Sequence, residues 1–421
     1  MLRINNIIYF DYGWQYPAIT EQHAFAMALK ILPKVDGVIY FAFPWASLID
    51  FIDRKKNDDI QIFTEALEAG SKLVNPDDKI VTVCQHIRML NHQDIFHKYG
   101  ITDVFWSHSV KGQNFFPQFN DINIYPFPLY PVQAVDYEQS YEDKNLHFSF
   151  VGARSNQWYL TQSRNMIIDN LSDIPDSLVI GRESWHYNKV VYDKQINKRN
   201  DISNLIDEDK TSEYIDILKN SIFSLCPSGS GPNSIRLWES IGFGSIPIIL
   251  ADTYQAPGSI DLWNSCSLFV KENIDEIINI PELIRGIISN KTKLTQMQNS
   301  LRLLWYIYGP DCFIYDIQLF FLENSKLHLL SQSNSLDINN LLAESKKLNS
   351  IPLANENLKL FNFFALQLAA LTFRHPDKIR VFISENNDLD SLVRKLIDND
   401  NLKYNKLLSM TLRLRSISLS K

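Results

Sequence analysis

Short runs of apolar, β-branched residues alternate along the first third of the chain with longer stretches of helical periodicity. Residues 7–10, 38–41, 80–84 and 104–106 are apolar enough to be buried strands, and 21–32, 61–73 and 93–99 space their apolar positions as helices do. Gly100 stands where a helix C-cap belongs. Strand and helix in alternation predict βαβ units and a parallel sheet. The run Tyr125-Pro-Phe-Pro-Leu-Tyr-Pro131 lacks the ladder donors of a central strand and predicts an extended exit. After a polar, acidic stretch a second series begins, with strands expected at 148–151, 177–180, 222–226, 246–250 and 268–270. Its helices are expected at 158–171, 212–220, 234–242 and 274–288, and beyond Gly309 only helical patterns remain. The expected fold class is α/β: a Rossmann-like domain over 1–132, a linker over 133–146, a second Rossmann-like domain over 147–310 and a helical extension over 311–421. Two such domains would face one cleft with the carboxyl ends of their strands.

Composition changes this picture little. The chain has 421 residues, 45% hydrophobic and 21% charged, which suits a multi-domain globular protein. Its net charge of −7 offers no basic stripe, so nucleic acid is not an expected partner. Cys84, Cys226, Cys266 and Cys312 form no C-x-x-C pair and read as reduced thiols. Residues 7–10 are cut off at Asp11, too short for a secretory segment, and the apolar run 363–373 is too short to span a bilayer. A cytoplasmic protein is expected.

The chemistry concentrates between Ser224 and Leu250, which reads strand, Gly/Ser/Pro loop, helix, Gly turn, strand. The loop Ser228-Gly229-Ser230-Gly231 leads backbone N–H groups to a helix start with Asn233 or Ser234 as N-cap, a place that attracts phosphate. Arg236 falls in the first helical turn, where a cation opposes the dipole unless an anion is bound, and Glu239 follows on the same face. An Arg for a diphosphate and a Glu for ribose hydroxyls would make a nucleotide pocket; a glycine-rich turn with a surface ion pair is the alternative. Arg154, just past the strand ending near Val151, would converge on the same crevice.

Phe150-Val-Gly-Ala-Arg154, Leu225-Cys-Pro-x-Gly229, Ser234-x-Arg-x-x-Glu239, Gly244-Ser-Ile-Pro247 and Trp263 together resemble the exostosin-like glycosyltransferases, glycosyltransferase family 47. The resemblance covers about residues 148–288. It implies a GT-B fold, inversion at the anomeric carbon, a nucleotide-sugar donor, UDP-linked, in the second domain, and no obligatory metal. Arg154 and Arg236 would then face the diphosphate and Glu239 the nucleoside. The family often carries Arg or Lys where this chain has Ser228, which removes one cation from the loop.

An inverting transferase also needs somewhere for the acceptor proton to go. His86 and His108 follow predicted strand ends and are the leading base candidates, with Asp11, Glu21 and His23 behind them; the bland reading of each histidine is a hydrogen-bonded structural residue. His86, His92 and His97 lack zinc spacing, and the Asp-x-Asp tripeptides at 207–209, 388–390 and 398–400 sit in polar surroundings that suit solvated loops. There is no Walker A, G-x-G-x-x-G or G-x-S-x-G motif. Lys403, Lys406, Arg413, Arg415 and Lys421 interleave with Leu and Met, as in a stretch that touches an anionic membrane or a helix packed on the protein. The expected activity is inverting transfer to a glycan hydroxyl, free or lipid-linked, in bacterial polysaccharide synthesis of the O-antigen (lipopolysaccharide) or capsule type. A sugar-nucleotide epimerase and a non-catalytic nucleotide- or glycan-binding subunit remain as rival readings.

Overall fold

The computed structural model describes residues 1–32, 35–134, 144–183, 208–258 and 260–324, together with Lys346. Two compact units are present, Met1–Ile31 with Ile39–Ile314, and Leu32–Val38 with Tyr315–Lys421. Both sheets and the candidate site belong to the first. In the second, the described part includes the helix Tyr315–Asn324. The basic tail and the acidic tripeptides at 388–390 and 398–400 lie outside the described residues, as do Asp207 and most of the expected linker.

The first sheet runs in chain order: β1 (Leu2–Ile4), β2 (Ile7–Tyr9), β3 (Val38–Ala42), β4 (Lys79–Cys84), β5 (Asp103–Trp106) and β6 (Asn123–Pro126). The pairs β2–β3, β4–β5 and β5–β6 are parallel. β1 folds back antiparallel on β2 through Asn5, whose φ of 53° an asparagine tolerates. β1 is three residues long, Leu2-Arg3-Ile4, too short for an alternating pattern to be read, and all three are exposed. The proline run enters the sheet only at its edge, with Pro126 as the last residue of β6.

The second sheet comprises β7 (Leu146–Ala153), β8 (Ser177–Arg182), β9 (Ser221–Pro227), β10 (Ile246–Leu250) and β11 (Leu268–Phe269), in the order β11-β10-β9-β7-β8. Its paired strands are all parallel. The chain leaves β7 on one side to make β8 and returns on the other to make β9. Strand order therefore reverses between β7 and β9, and open α/β sheets hold ligands at such a point.

Helices α1 (Thr20–Ile31), α2 (Trp45–Asp53), α3 (Asn57–Ser71), α4 (Gln93–Lys98) and α5 (Ser163–Leu171) follow. α2 was unforeseen, because Pro44 precedes it without a side-chain cap and its first five residues are all buried. α5 starts later than its pattern suggests. The Asn156 side chain takes the Trp158 N–H and the Gly229 carbonyl takes that of Leu160, so the chain turns before it can coil. The stretch expected as one helix over 274–288 is two, Ile274–Ile278 and Ile280–Ile288, with Pro281 in the first turn of the second.

Each half has its own aromatic core. Trp45 stacks on Phe96 at 4.2 Å and donates to Thr82 Oγ1, which donates to the Phe41 carbonyl. Trp238 meets Trp263 edge-on at 5.6 Å in the other half. The halves are joined beyond their strand ends, where Val110 bridges Tyr254 and Lys111 N donates to the Thr253 carbonyl. Lys144, where the chain enters the second half, donates to the Lys219 and Phe243 carbonyls, each at a helix C-terminus with acceptors to spare. Burial lowers its ammonium to about 8. Two α/β halves with strand ends turned to one cleft form the GT-B arrangement.

Glu21 takes a structural place in this frame. Its carboxylate accepts from the backbone N–H of Ala46, in the first turn of α2, and of Gln85, just past β4. Gln85 in turn accepts from Glu21 N and donates to Gln15 Oε1 and the Ala18 carbonyl. Burial nevertheless pushes the Glu21 carboxyl up to about 8. Folding therefore takes up a proton between the ordinary value of 4.5 and about 8, and the stabilisation, full below that window, is lost as pH rises through it. Urea denaturation across this window should show stability falling with pH, and Glu21→Gln should remove one proton's worth of that slope, about 1.4 kcal/mol per pH unit.

Candidate functional site

A cleft of about 310 Å³ opens where the strand ends of the two sheets face each other. From the first half it takes Gln15, Gln85, Ile87 and His108; from the second, the ends of β7 and β8, the loop Gly229–Gly231, and the start of the helix Ile235–Gly242. The reversal between β7 and β9 lies on this wall.

Two guanidinium groups occupy that point. Arg236 donates through Nη2 to the Val151 carbonyl, while its Nε and Nη1 are buried and donate to nothing. Arg164, from α5, is 8% exposed and donates to the carbonyls of Ser228 and Ala153. Both lie over the Phe150 ring, at 4.5 Å for Arg236 and 5.9 Å for Arg164, and Arg164 also covers Tyr159 at 4.6 Å. Burial, and then the charge of Arg236, lower Arg164 to about 10. Among the described residues neither has a carboxylate within salt-bridge distance. A buried guanidinium beside a half-buried one at the wall of an open cleft is costly unless an anion joins them.

Gly152 makes the pair sterically feasible. A Cβ on it would stand 2.5 Å from Arg236 Nη2 and 3.3 Å from Arg164 Nη1. Ser234 is the N-cap of the neighbouring helix, with extended backbone and no side-chain cap bond. That helix start, the Gly229–Gly231 backbone and the arginines face the same space.

Glu239 lines the cleft with both oxygens engaged, one by the Gln133 N–H and one by the Tyr214 hydroxyl. Burial raises its carboxyl to about 7 against these donors and Arg236. It ties the crossover between the halves to the pocket wall.

The other expected residues divide. Arg154 is a correction: half-exposed, it pairs with Asp169 of α5 at 2.8 Å and does not line the cleft, and Arg164 stands at the strand end instead. Ser228 turns its hydroxyl away, to Glu272 and Thr161, and holds the loop from behind. Gly229, Ser230 and Gly231 line the cleft. His86 has both ring nitrogens engaged, Nδ1 by the Arg88 N–H and Nε2 at 3.5 Å from Asp50, so it orients structure rather than substrate. Asp11 is exposed, accepts from Trp14 Nε1 and is not on the cleft wall. His23 bonds the Pro310 carbonyl between Tyr130 and Phe313. His108 does line the cleft, against Gly231, with its Nδ1 buried and unpartnered. Burial and the neighbouring His86 push it down to about 3, so it is neutral in the physiological range. Arg164, Arg182 and Tyr159 were missed. Arg182 ends β8 as Ala153 ends β7, and strand-end reasoning could have found it; Arg164 lies within a helical pattern and carried no signal.

Among the described residues no group of three or more His, Cys, Asp and Glu is placed to hold a metal ion, and no helix is long and apolar enough to cross a membrane. Residues 82–284 match the exostosin GT47 domain. Similar proteins include an exostosin-1 homolog of Caenorhabditis elegans, 30% identical over 103 residues, 24% of this chain and 26% of that protein. A probable beta-1,4-xylosyltransferase of Arabidopsis thaliana is 37% identical over 18% of each chain. A probable glucuronosyltransferase of Oryza sativa subsp. japonica is 35% identical over 20% of each. The aligned stretch thus spans about a quarter or less of each relative. Among solved structures, a GtfA/B complex aligns at a TM-score of 0.36 and 11% identity over 72% of this chain and 59% of that one. An S. aureus MnaA–UDP structure aligns at 0.35 and 12% over 74% and 96%.

If the arginine pair is an anion site, inorganic pyrophosphate should raise the melting temperature of the full chain. At a hundred times its dissociation constant the gain is about 2.7 kcal/mol. Gly152→Ala, which pushes a methyl group between the two guanidiniums, should abolish the shift; an equal shift in wild type and variant would place the anion elsewhere.

Proposed function

We propose, from residues 82–284 belonging to the exostosin GT47 family, that this protein is a glycosyltransferase that moves a sugar from a nucleoside-diphosphate donor to a glycan hydroxyl. The observation that carries the reading is the Arg236 guanidinium, with two buried N–H donors aimed at nothing, beside a second buried arginine at the strand-order reversal. A diphosphate supplies the charge and the acceptor oxygens these groups lack. With the diphosphate against Arg164, Arg236 and the loop Gly229–Gly231, the nucleoside lies along the second half, near Arg182 and Glu239. The sugar points across the cleft toward Gln15, Gln85 and His108.

In a single inverting displacement the acceptor oxygen bonds to the anomeric carbon as the bond from that carbon to the diphosphate oxygen breaks. Negative charge grows on the departing diphosphate, where the two arginines and the helix start stabilise it, the largest catalytic contribution. His108, neutral and with its Nδ1 buried against Gly231, shapes the wall that faces the sugar; a group this weakly basic does not keep the acceptor proton, which passes to the leaving diphosphate or solvent. The donor is UDP-linked and the acceptor is a growing polysaccharide of O-antigen or capsule type, carried on a lipid and presented at the cytoplasmic membrane face.

Thermal shifts with UDP, GDP, ADP, TDP and CMP identify the nucleotide, and turnover with the matching sugar donor follows. Arg236→Ala should remove the shift and slow transfer on the order of 100-fold or more. Turnover within a few-fold of wild type would refute the site, and product formed from the donor alone would mark an epimerase.

A further inference from the structure

Trp158 is the most exposed large hydrophobic side chain among the described residues, at 72%. It does not sit on a loose segment. In the β7–α5 loop, Ser155 N donates to Asn165 Oδ1, Trp158 N to Asn156 Oδ1, Leu160 N to the Gly229 carbonyl, and Thr161 Oγ1 to Glu272. The Leu160 bond ties the loop to Gly229 on the cleft wall, and the Thr161 bond ties it to Glu272. The intervening Tyr159 turns inward, lining the cleft and covering Arg164. Its neighbours on either side, Trp158 and Leu160, are exposed, next in the chain to the cleft-lining Tyr159.

The loop's chemistry narrows what it faces. From residue 155 through residue 163 there is no charged side chain, and the exposed polar groups are the amides of Asn156, Gln157 and Gln162. An anionic bilayer would call for free cations beside the tryptophan; the nearest basic side chain before the loop, Arg154, is paired with Asp169. A protein interface would call for a broader apolar patch. A flat indole with amides around it suits a neutral pyranose ring, whose C–H face packs on the aromatic surface while its hydroxyls meet the amides. Trp is suited to this, offering a large rigid contact at low entropic cost.

We propose that Trp158, with Asn156, Gln157 and Gln162, forms a neutral-glycan subsite at the rim of the cleft that holds the acceptor. It rests on the transferase reading above and adds to it the acceptor's chemical class and the wall it approaches from.

The test uses full-length protein on an immobilised array of neutral oligosaccharides, with α- and β-linked hexoses, pentoses and N-acetylhexosamines. Wild type should be retained on a subset of the array. Trp158→Ala should lose roughly tenfold or more in affinity, while Trp158→Phe keeps most of it. The nucleotide thermal shift, read in the same samples, should be equal in all three. Glycan binding unaffected by Trp158→Ala overturns the proposal, as does a wild type that shows the nucleotide shift but retains no glycan. Loss, in Trp158→Ala, of binding to phosphatidylglycerol–phosphatidylcholine vesicles also overturns it, in favour of a membrane contact. Absence of the nucleotide shift in wild type would instead remove the donor-site reading on which it depends.

Discussion

The site depends on one electrostatic constraint: two guanidinium groups held side by side, Arg164 buried and Arg236 half-buried, with no carboxylate within salt-bridge distance of either among the described residues. Taking even one ion out of water costs several kcal/mol, and a like-charged neighbour adds to it. The surrounding structure tolerates the pair through carbonyls from β7 and the loop after β9, the face of Phe150, and the missing side chain at Gly152. These contacts orient the arginines without neutralising them.

Topology decides where this happens. The first sheet, laid down in chain order, has no reversal, and its strand ends carry amides, an aliphatic side chain and a neutral histidine to the cleft. The second reverses between β7 and β9, and there Arg182 from a strand end meets Arg164 and Arg236 from the first turns of two helices. Cationic side chains thus line one wall of the cleft and uncharged ones the other. Glu239 links the two, because the carboxylate on the donor wall also holds the backbone of Gln133 where the chain crosses from one half to the other.

Both series of buried strands were legible because parallel strands covered on two faces read as continuous apolar runs. β10 matches its expected span, 246–250. What escaped was set by contacts between distant residues. β1 has no buried face, and the start of α5 was moved by Asn156 and Gly229. In the site, the loop–helix segment that presents Arg236 could be read locally, since loop, helix start and cation are contiguous. The choice between Arg154 and Arg164 could not: it depends on whether Asp169, a helix away, captures the strand-end arginine. His86 and His108 looked alike in sequence. One is committed to Asp50 and the Arg88 backbone, while the other keeps a lone pair against Gly231.

The most direct measurement is an experimental structure of the full chain with UDP. Diphosphate oxygens should lie within hydrogen-bond distance of the Arg236 guanidinium, with the Arg164 guanidinium alongside. A nucleotide bound away from the β7–β9 strand ends, or an Arg236 that makes no bond to bound nucleotide, would contradict the account.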